Sequence, residues 1–145
     1  MTDLERARHL LQEGAFTCVL CKDEKVYTST AAGISPMLDL IREGHDLHGF
    51  SAADKIVGKA AAMLFALAGI AELHAQVLSR FGAELLRIHG IAFTYDTLTE
   101  YIINRKGDGI CPMEQTVADI DAMDLQTAFD AVYVKREELR KDIHQ

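Results

Sequence analysis

The sequence is short of the features that mark several large classes of protein. Its three cysteines are an odd number in a chain of 145 residues and do not make a disulfide framework. No apolar run approaches the ~20 residues that span a bilayer, which argues against a membrane partner. Lys and Arg number 15 against 22 Asp and Glu, a formal net charge of −7. Binding to a phosphate backbone needs the opposite balance, so nucleic acid is not expected as a partner. A small anionic ligand held in a local positive pocket is still open. There is no internal repeat, low-complexity tract or linker. Gly-rich nucleotide fingerprints, a Walker motif, a Gly-x-Ser-x-Gly elbow and His-Glu-x-x-His are all missing. Those reaction classes lose their basis, and no cofactor is expected. The stretch Met1-Thr-Asp-Leu-Glu-Arg-Ala-Arg8 reads as an acidic–basic helix and not as a leader, so a reducing cytoplasm is the expected compartment.

What is present suits a single domain over residues 1–145, with 49% hydrophobic and 26% charged residues, typical of a soluble globular protein. The organising stretch is Ser51 to Ile70. From Ala60 to Ala71 it carries no charge and no hydrogen-bonding side chain, and Ala, Met, Leu and Phe dominate it. Such a run favours helix. A helix apolar around its circumference belongs inside a protein. The pattern therefore predicts a buried central helix capped by Ser51, with Asp54, Lys55 and Lys59 at its polar first turns. That polar end is the first place to look for a site.

Elsewhere the punctuation is clear. Thr2 or Asp3 can cap a helix that Gly14 ends, with Leu4, Ala7, Leu10 and Leu11 along one face. Phe16–Cys21 and Lys25–Thr30 form a hairpin around Lys22-Asp-Glu. Ser35-Pro36 opens a short helix reaching about Glu43. Glu72 to Leu78 reads as a strand, Ser79 to Ile88 as an amphipathic helix and Ile91 to Tyr95 as a short strand. Asp96 to Asn104 reads as another short helix, followed by a loop over Arg105-Lys-Gly-Asp-Gly109. Cys111-Pro-Met-Glu114 begins a helix, and Asp124 caps the last one, Leu125 to Lys141. A hairpin followed by alternating strands and helices gives a three-layer α/β/α domain with a mixed sheet.

Each chemical motif has a bland counterpart. Cys18 and Cys21 lie on a strand, where positions three apart point to opposite faces, so buried, inert thiols are the commoner outcome. His45-x-x-His48 has no second half with ligand spacing. Cys111 is more specific. With Pro112 at the first helical position, its sulfur lies close to unpaired backbone N–H groups, a setting that favours a thiolate. Glu114 can reach back as a capping carboxylate. Gly109, in the Gly-Asp-Gly just before, lets a backbone approach a ligand. Lys59, in a largely apolar helix, either snorkels or is held desolvated, and Gly58 before it suits a close approach of backbone or ligand.

Taken together, Asp54-Lys-Ile-Val-Gly-Lys-Ala-Ala-Ala62 and Cys111-Pro-Met-Glu114 resemble an uncharacterised family of domains of unknown function grouped with the cytidine deaminase-like fold. The resemblance covers nearly the whole chain and implies that fold. It also implies a homo-oligomer, although no patch in the sequence marks an interface. In deaminases the buried helix opens with His-x-Glu or Cys-x-Glu and the next with Pro-Cys-x-x-Cys, three of these residues holding zinc. Here Ala52-Ala-Asp54 or Gly58-Lys59 stands in the first place, depending on register, and Cys111 with Glu114 in the second. Two donors do not complete a tetrahedral site, so no metal is expected. Two functions follow. One is a metal-free enzyme in which Cys111 is the nucleophile, Lys59 stabilises a thiolate or substrate anion, and Asp54 or Glu114 moves protons. The other is a non-catalytic domain binding a small anion or nucleotide-like ligand in the same cleft, with Ser51, Gly58 and Gly109 at its edge.

Overall fold

The computed structural model describes residues 1–143. Thr2 accepts from the Glu5 N–H at 3.1 Å and starts helix α1 (Asp3–Glu13), which ends at Gly14. Strands β1 (Cys18–Lys22) and β2 (Lys25–Ser29) form the expected hairpin, Cys21 opposite Val26. Helix α2 (Ser35–Arg42) follows, with Ile34 and not Ser35 at its cap.

The main correction falls on Ser51. Residues Ser51–Val57 are not the first turns of the central helix but a strand, β3, and Ser51 caps nothing: its hydroxyl donates to Glu72 at 2.8 Å. The helix, α3, is Lys59–Ala68, with Gly58 as its N-cap residue in extended backbone and Gly69 left-handed at its end. Local preference misleads here because Ala, Asp and Lys are tolerated in helices at costs below about 1 kcal/mol per residue. β3 is bonded on both sides, antiparallel to β1 with Cys18 opposite Asp54, and parallel to the next strand. Two ladders and burial outweigh that preference. The true boundary is Ile56-Val57-Gly58, two β-branched residues and a breaker.

Strand β4 (Glu72–Ser79) and helix α4 (Arg80–Ile88) match the pattern, Ser79 accepting from the Gly82 N–H at 2.9 Å. Strand β5 (Ala92–Thr99) runs past Tyr95, so Asp96–Asn104 is not a helix. Thr97 and Thr99 fit a strand, and parallel pairing with β4 holds the segment extended as far as Thr99. A short antiparallel bridge then joins Ile103 to Ile110. Helices α5 (Pro112–Val117) and α6 (Leu125–Ile143) complete the chain, Asp124 accepting from the Thr127 N–H.

The sheet order is β2-β1-β3-β4-β5, antiparallel at the hairpin and parallel from β3 onward. α1 covers Val19, Cys21 and Ala53 on one face. The other face carries α2, α3 and α4, and α6 packs on the far side of α3. This is a three-layer α/β/α domain with a mixed sheet. Ala60 through Phe65 are all buried, so α3 is central as its composition requires. Full burial of Leu64 and Phe65 contributes about 1.5–3 kcal/mol each.

Candidate functional site

Open α/β sheets place ligand crevices at the carboxyl ends of their parallel strands. Three such ends meet here. β3 ends at Gly58-Lys59, β4 at Ser79 with Phe81 in the next turn, and β5 leads into Glu100-Tyr101-Ile102. Between them and α5 lies a cavity of about 260 Å³. Phe81, Tyr101, Ile102 and Ile110 make it mainly apolar, with the Phe81 and Tyr101 rings 6.3 Å apart and tilted by 39°. Lys59 and Glu114 form its polar floor, and Glu100 and Gln115 its rim.

The floor is an exchange of caps between two helices. Glu114, from α5, accepts from the N–H groups of Lys59 and Ala60 at 2.7 and 2.8 Å, closing the open start of α3. Lys59, from α3, donates its ammonium to the carbonyls of Ile120 at 2.8 Å and Ala118 at 3.4 Å, just past the end of α5. A carboxylate at a helix N-terminus and an ammonium at a C-terminus both match the dipole. Burial pushes the Glu114 carboxyl above its ordinary value, opposed by the N–H groups of Ala60 and Lys59 and by the Lys59 charge. Gly58 is required because a Cβ there would overlap the Glu114 carboxylate. Gly82 has a similar reason: a Cβ would press on the Val57 carbonyl at 3.1 Å, so α4 comes down closely on the end of β3.

Of the residues expected from sequence, the structure brings Gly58, Lys59 and Glu114 together. Cys111 is the N-cap residue of α5, half-buried against the core and not part of the cavity wall; its side chain makes no capping bond. Glu114 therefore serves another helix's start and not its own. Asp54 lies on β3 opposite Cys18, buried, and its carboxyl is pushed up from 3.8 to about 7 by burial, against the pull of the Lys55 and Ile56 N–H groups. The Cys18 thiol is raised well above its usual range by burial, with Asp54 adding to it. Ser51 is at the far, amino end of β3, and Gly109 offers its carbonyl to Asn104 in the loop at 2.8 Å. Sequence reasoning missed Phe81, Tyr101, Ile102 and Ile110. The available signal was their place just after strands β4 and β5, hidden because β5 was read as too short.

Zinc of the deaminase kind does not fit these residues. Both Glu114 oxygens accept backbone N–H groups and are not free to bind a metal. Among the described residues no group of three or more His, Cys, Asp or Glu side chains is arranged to hold a metal ion. Cys18 and Cys21 are fully buried in opposite faces of the sheet.

The fold and this cavity define an α/β/α domain with a crevice at its parallel strand ends. The chain belongs to the family described as Domain of unknown function (DUF1893), whose model matches residues 6–133. It is similar to the crystal structure of a DUF1893 family protein from Thermotoga maritima, with 26% identity, 93% of this chain and 91% of that chain covered, and a TM-score of 0.83. A diaminohydroxyphosphoribosylaminopyrimidine deaminase/5-amino-6-(5-phosphoribosylamino)uracil reductase from the same organism matches at 16% identity over 65% of this chain and 35% of that one. The TM-score of that match is 0.44. Among curated proteins none matches.

Proposed function

We propose that the chain is a non-catalytic binding domain of cytidine deaminase-like fold, whose crevice at the ends of β3, β4 and β5 takes a small, planar, nucleobase-like ligand. One observation carries this reading: an apolar cavity of about 260 Å³, walled by two aromatic rings, with an ammonium and a carboxylate at its floor. Ligand sites combine mostly apolar walls with a few placed polar groups, and this volume suits one ring system and little more. Phe81 and Tyr101 offer ring faces, while Lys59 and the rim groups Glu100 and Gln115 can meet polar edges. The start of α3 is already occupied by Glu114, so an external phosphate has no claim on it. Three free cysteines suit our placing of the domain in a reducing cytoplasm.

The catalytic reading has less support. Cys111 is outside the cavity wall, Asp54 is beside Cys18, and Glu114 is engaged through both oxygens. Titration of labelled protein with nucleosides, free bases and inorganic phosphate tests the proposal. Saturable amide shifts around Phe81, Tyr101 and Ile110 are expected with a heterocycle and not with phosphate, unchanged in Cys111→Ser and lost in Tyr101→Ala. If no heterocycle gives a saturable shift there, the binding reading fails. If binding occurs and is consumed by turnover that Cys111→Ser abolishes, the enzyme reading replaces it.

A further inference from the structure

The two edges of the sheet are built differently. β2, at one edge, is five residues long and begins with Lys25. Short edge strands and edge lysines discourage pairing with another chain. β5, at the other edge, is eight residues long and has no Lys, Arg, Pro or Gly. Its single charge, Asp96, is turned back to the buried His74, 3.3 Å away, where Thr94 holds the other ring nitrogen at 2.6 Å. Most of its residues are exposed, Tyr95 and Leu98 by 43% and 42%, and among the described residues no strand pairs with its outer side. Beside it, α4 exposes Ile88 (49%) on the same side of the molecule as Phe93 and Tyr95, with Arg87 lying over the Phe93 ring. An unprotected edge of this length is a template for another strand.

We infer that this edge pairs with a second copy of the chain, β5 against β5 in antiparallel register about a twofold axis at Tyr95. The side chains select that register. Directly opposed residues in an antiparallel pair share a face of the sheet, so the axis must pass through a residue and not between two. Centring it on Asp96 would oppose two carboxylates. Centring it on Tyr95 opposes the two tyrosines, sets Asp96 against Thr94 of the partner subunit, and Ala92 against Leu98 of the partner subunit. Aromatic pairs of this kind are favourable across strands, and no like charges are opposed. At the ends, Glu100, just past β5 and already bridged to Arg80 of its own chain at 2.8 Å, comes near Arg87 of the partner subunit, beside the last turn of its α4. The strand is about 26 Å long at about 3.3 Å per residue. With the exposed stripe of α4 it gives an interface near the small end of the specific range, about 1,200 Å² in total. Area of this size does not by itself set the affinity, so the pairing is tested over a range of concentrations. The same pairing brings the partner to the rim of the crevice, next to Glu100 and Tyr101.

Sedimentation and light scattering on the intact chain, at concentrations up to about 200 µM so that micromolar association is within reach, are expected to give twice the chain mass. Tyr95→Lys is expected to weaken the dimer at least tenfold, and Val26→Lys on β2 to leave it unchanged. Amide exchange supplies a readout independent of any variant: protection of residues 92–98 should rise with protein concentration while that of β2 does not. A wild-type chain that keeps a single-chain mass at the highest concentration overturns the inference and leaves the edge to a strand from a different protein. So does a dimer indifferent to Tyr95→Lys, or exchange at 92–98 indifferent to concentration.

Discussion

At the scale of single residues, the most consequential group is Asp54, a carboxyl buried between strands and raised from 3.8 to about 7. A folded-state value above the unfolded one means that the folded protein holds its proton more tightly. The stabilising contribution is full below about pH 4 and is lost as pH rises through about 7, a swing on the order of 4 kcal/mol. Asp54→Asn keeps the shape and a carbonyl acceptor but cannot ionise. Denaturation midpoints measured from pH 4 to 8 should fall with pH in the wild type and fall less steeply in the variant, where Glu114, also raised by burial, still titrates. Parallel curves for the two proteins would mean that Asp54 does not carry the dependence. Gly58 gives a second test. Gly58→Ala must displace the Glu114 carboxylate, and a loss of about 1–3 kcal/mol in chemical denaturation is expected, as for other overpacked sites. In a Glu114→Ala background the further cost of Gly58→Ala should be much smaller, because the colliding group is gone.

At the scale of elements, α3 and α5 are joined by the exchange of Glu114 and Lys59. Glu114→Ala strands two N–H groups at a half-buried helix start, for a loss of about 2–4 kcal/mol at about 1–3 per orphaned donor less what water recovers. Glu114→Gln retains one acceptor and should cost roughly half as much, read from the same denaturation series. Lys59→Met is expected to cost less than Glu114→Ala, since carbonyls past the end of α5 can turn to solvent. Parity between the two would show that the ammonium matters as much as the carboxylate. Elements were legible where breakers and periodicity agreed: α1 between Thr2 and Gly14, the hairpin around Asp23, α4 between Ser79 and Gly90. They were illegible where the cause lay outside the segment. Ser-Ala-Ala-Asp-Lys has nothing strand-like in it, and becomes β3 because β1 and β4 flank it. Lys59 and Glu114 could be singled out from composition and spacing. That one caps the helix of the other could not, because 55 residues separate them and no local pattern encodes the meeting. The aromatic wall was lost for the same reason once Asp96–Asn104 was read as helix.

At the scale of the whole molecule, one layer is thin and the other deep. α1 alone covers its face, while α6 lies over α3 on the other, burying Ala128 and Val132 and tying Arg136 to Asp39 of α2 at 2.7 Å. A chain ending at Asp124 leaves the outer side of α3 bare, and it is expected to lose its cooperative thermal transition and to bind a hydrophobic dye. A sharp melt in the shortened chain would show that the five strands and first five helices suffice. The mutual caps also have a consequence in time. Glu114 trails Lys59 by 55 residues, so during synthesis at about 5–20 residues per second the start of α3 stays open for roughly 3–11 seconds after it emerges. Through that interval the most apolar helix of the protein has its hydrogen-bond donors bare and its outer face uncovered. The vulnerable moment of this fold is therefore late in translation, and chaperone dependence should fall sharply only once α6 is out to cover α3.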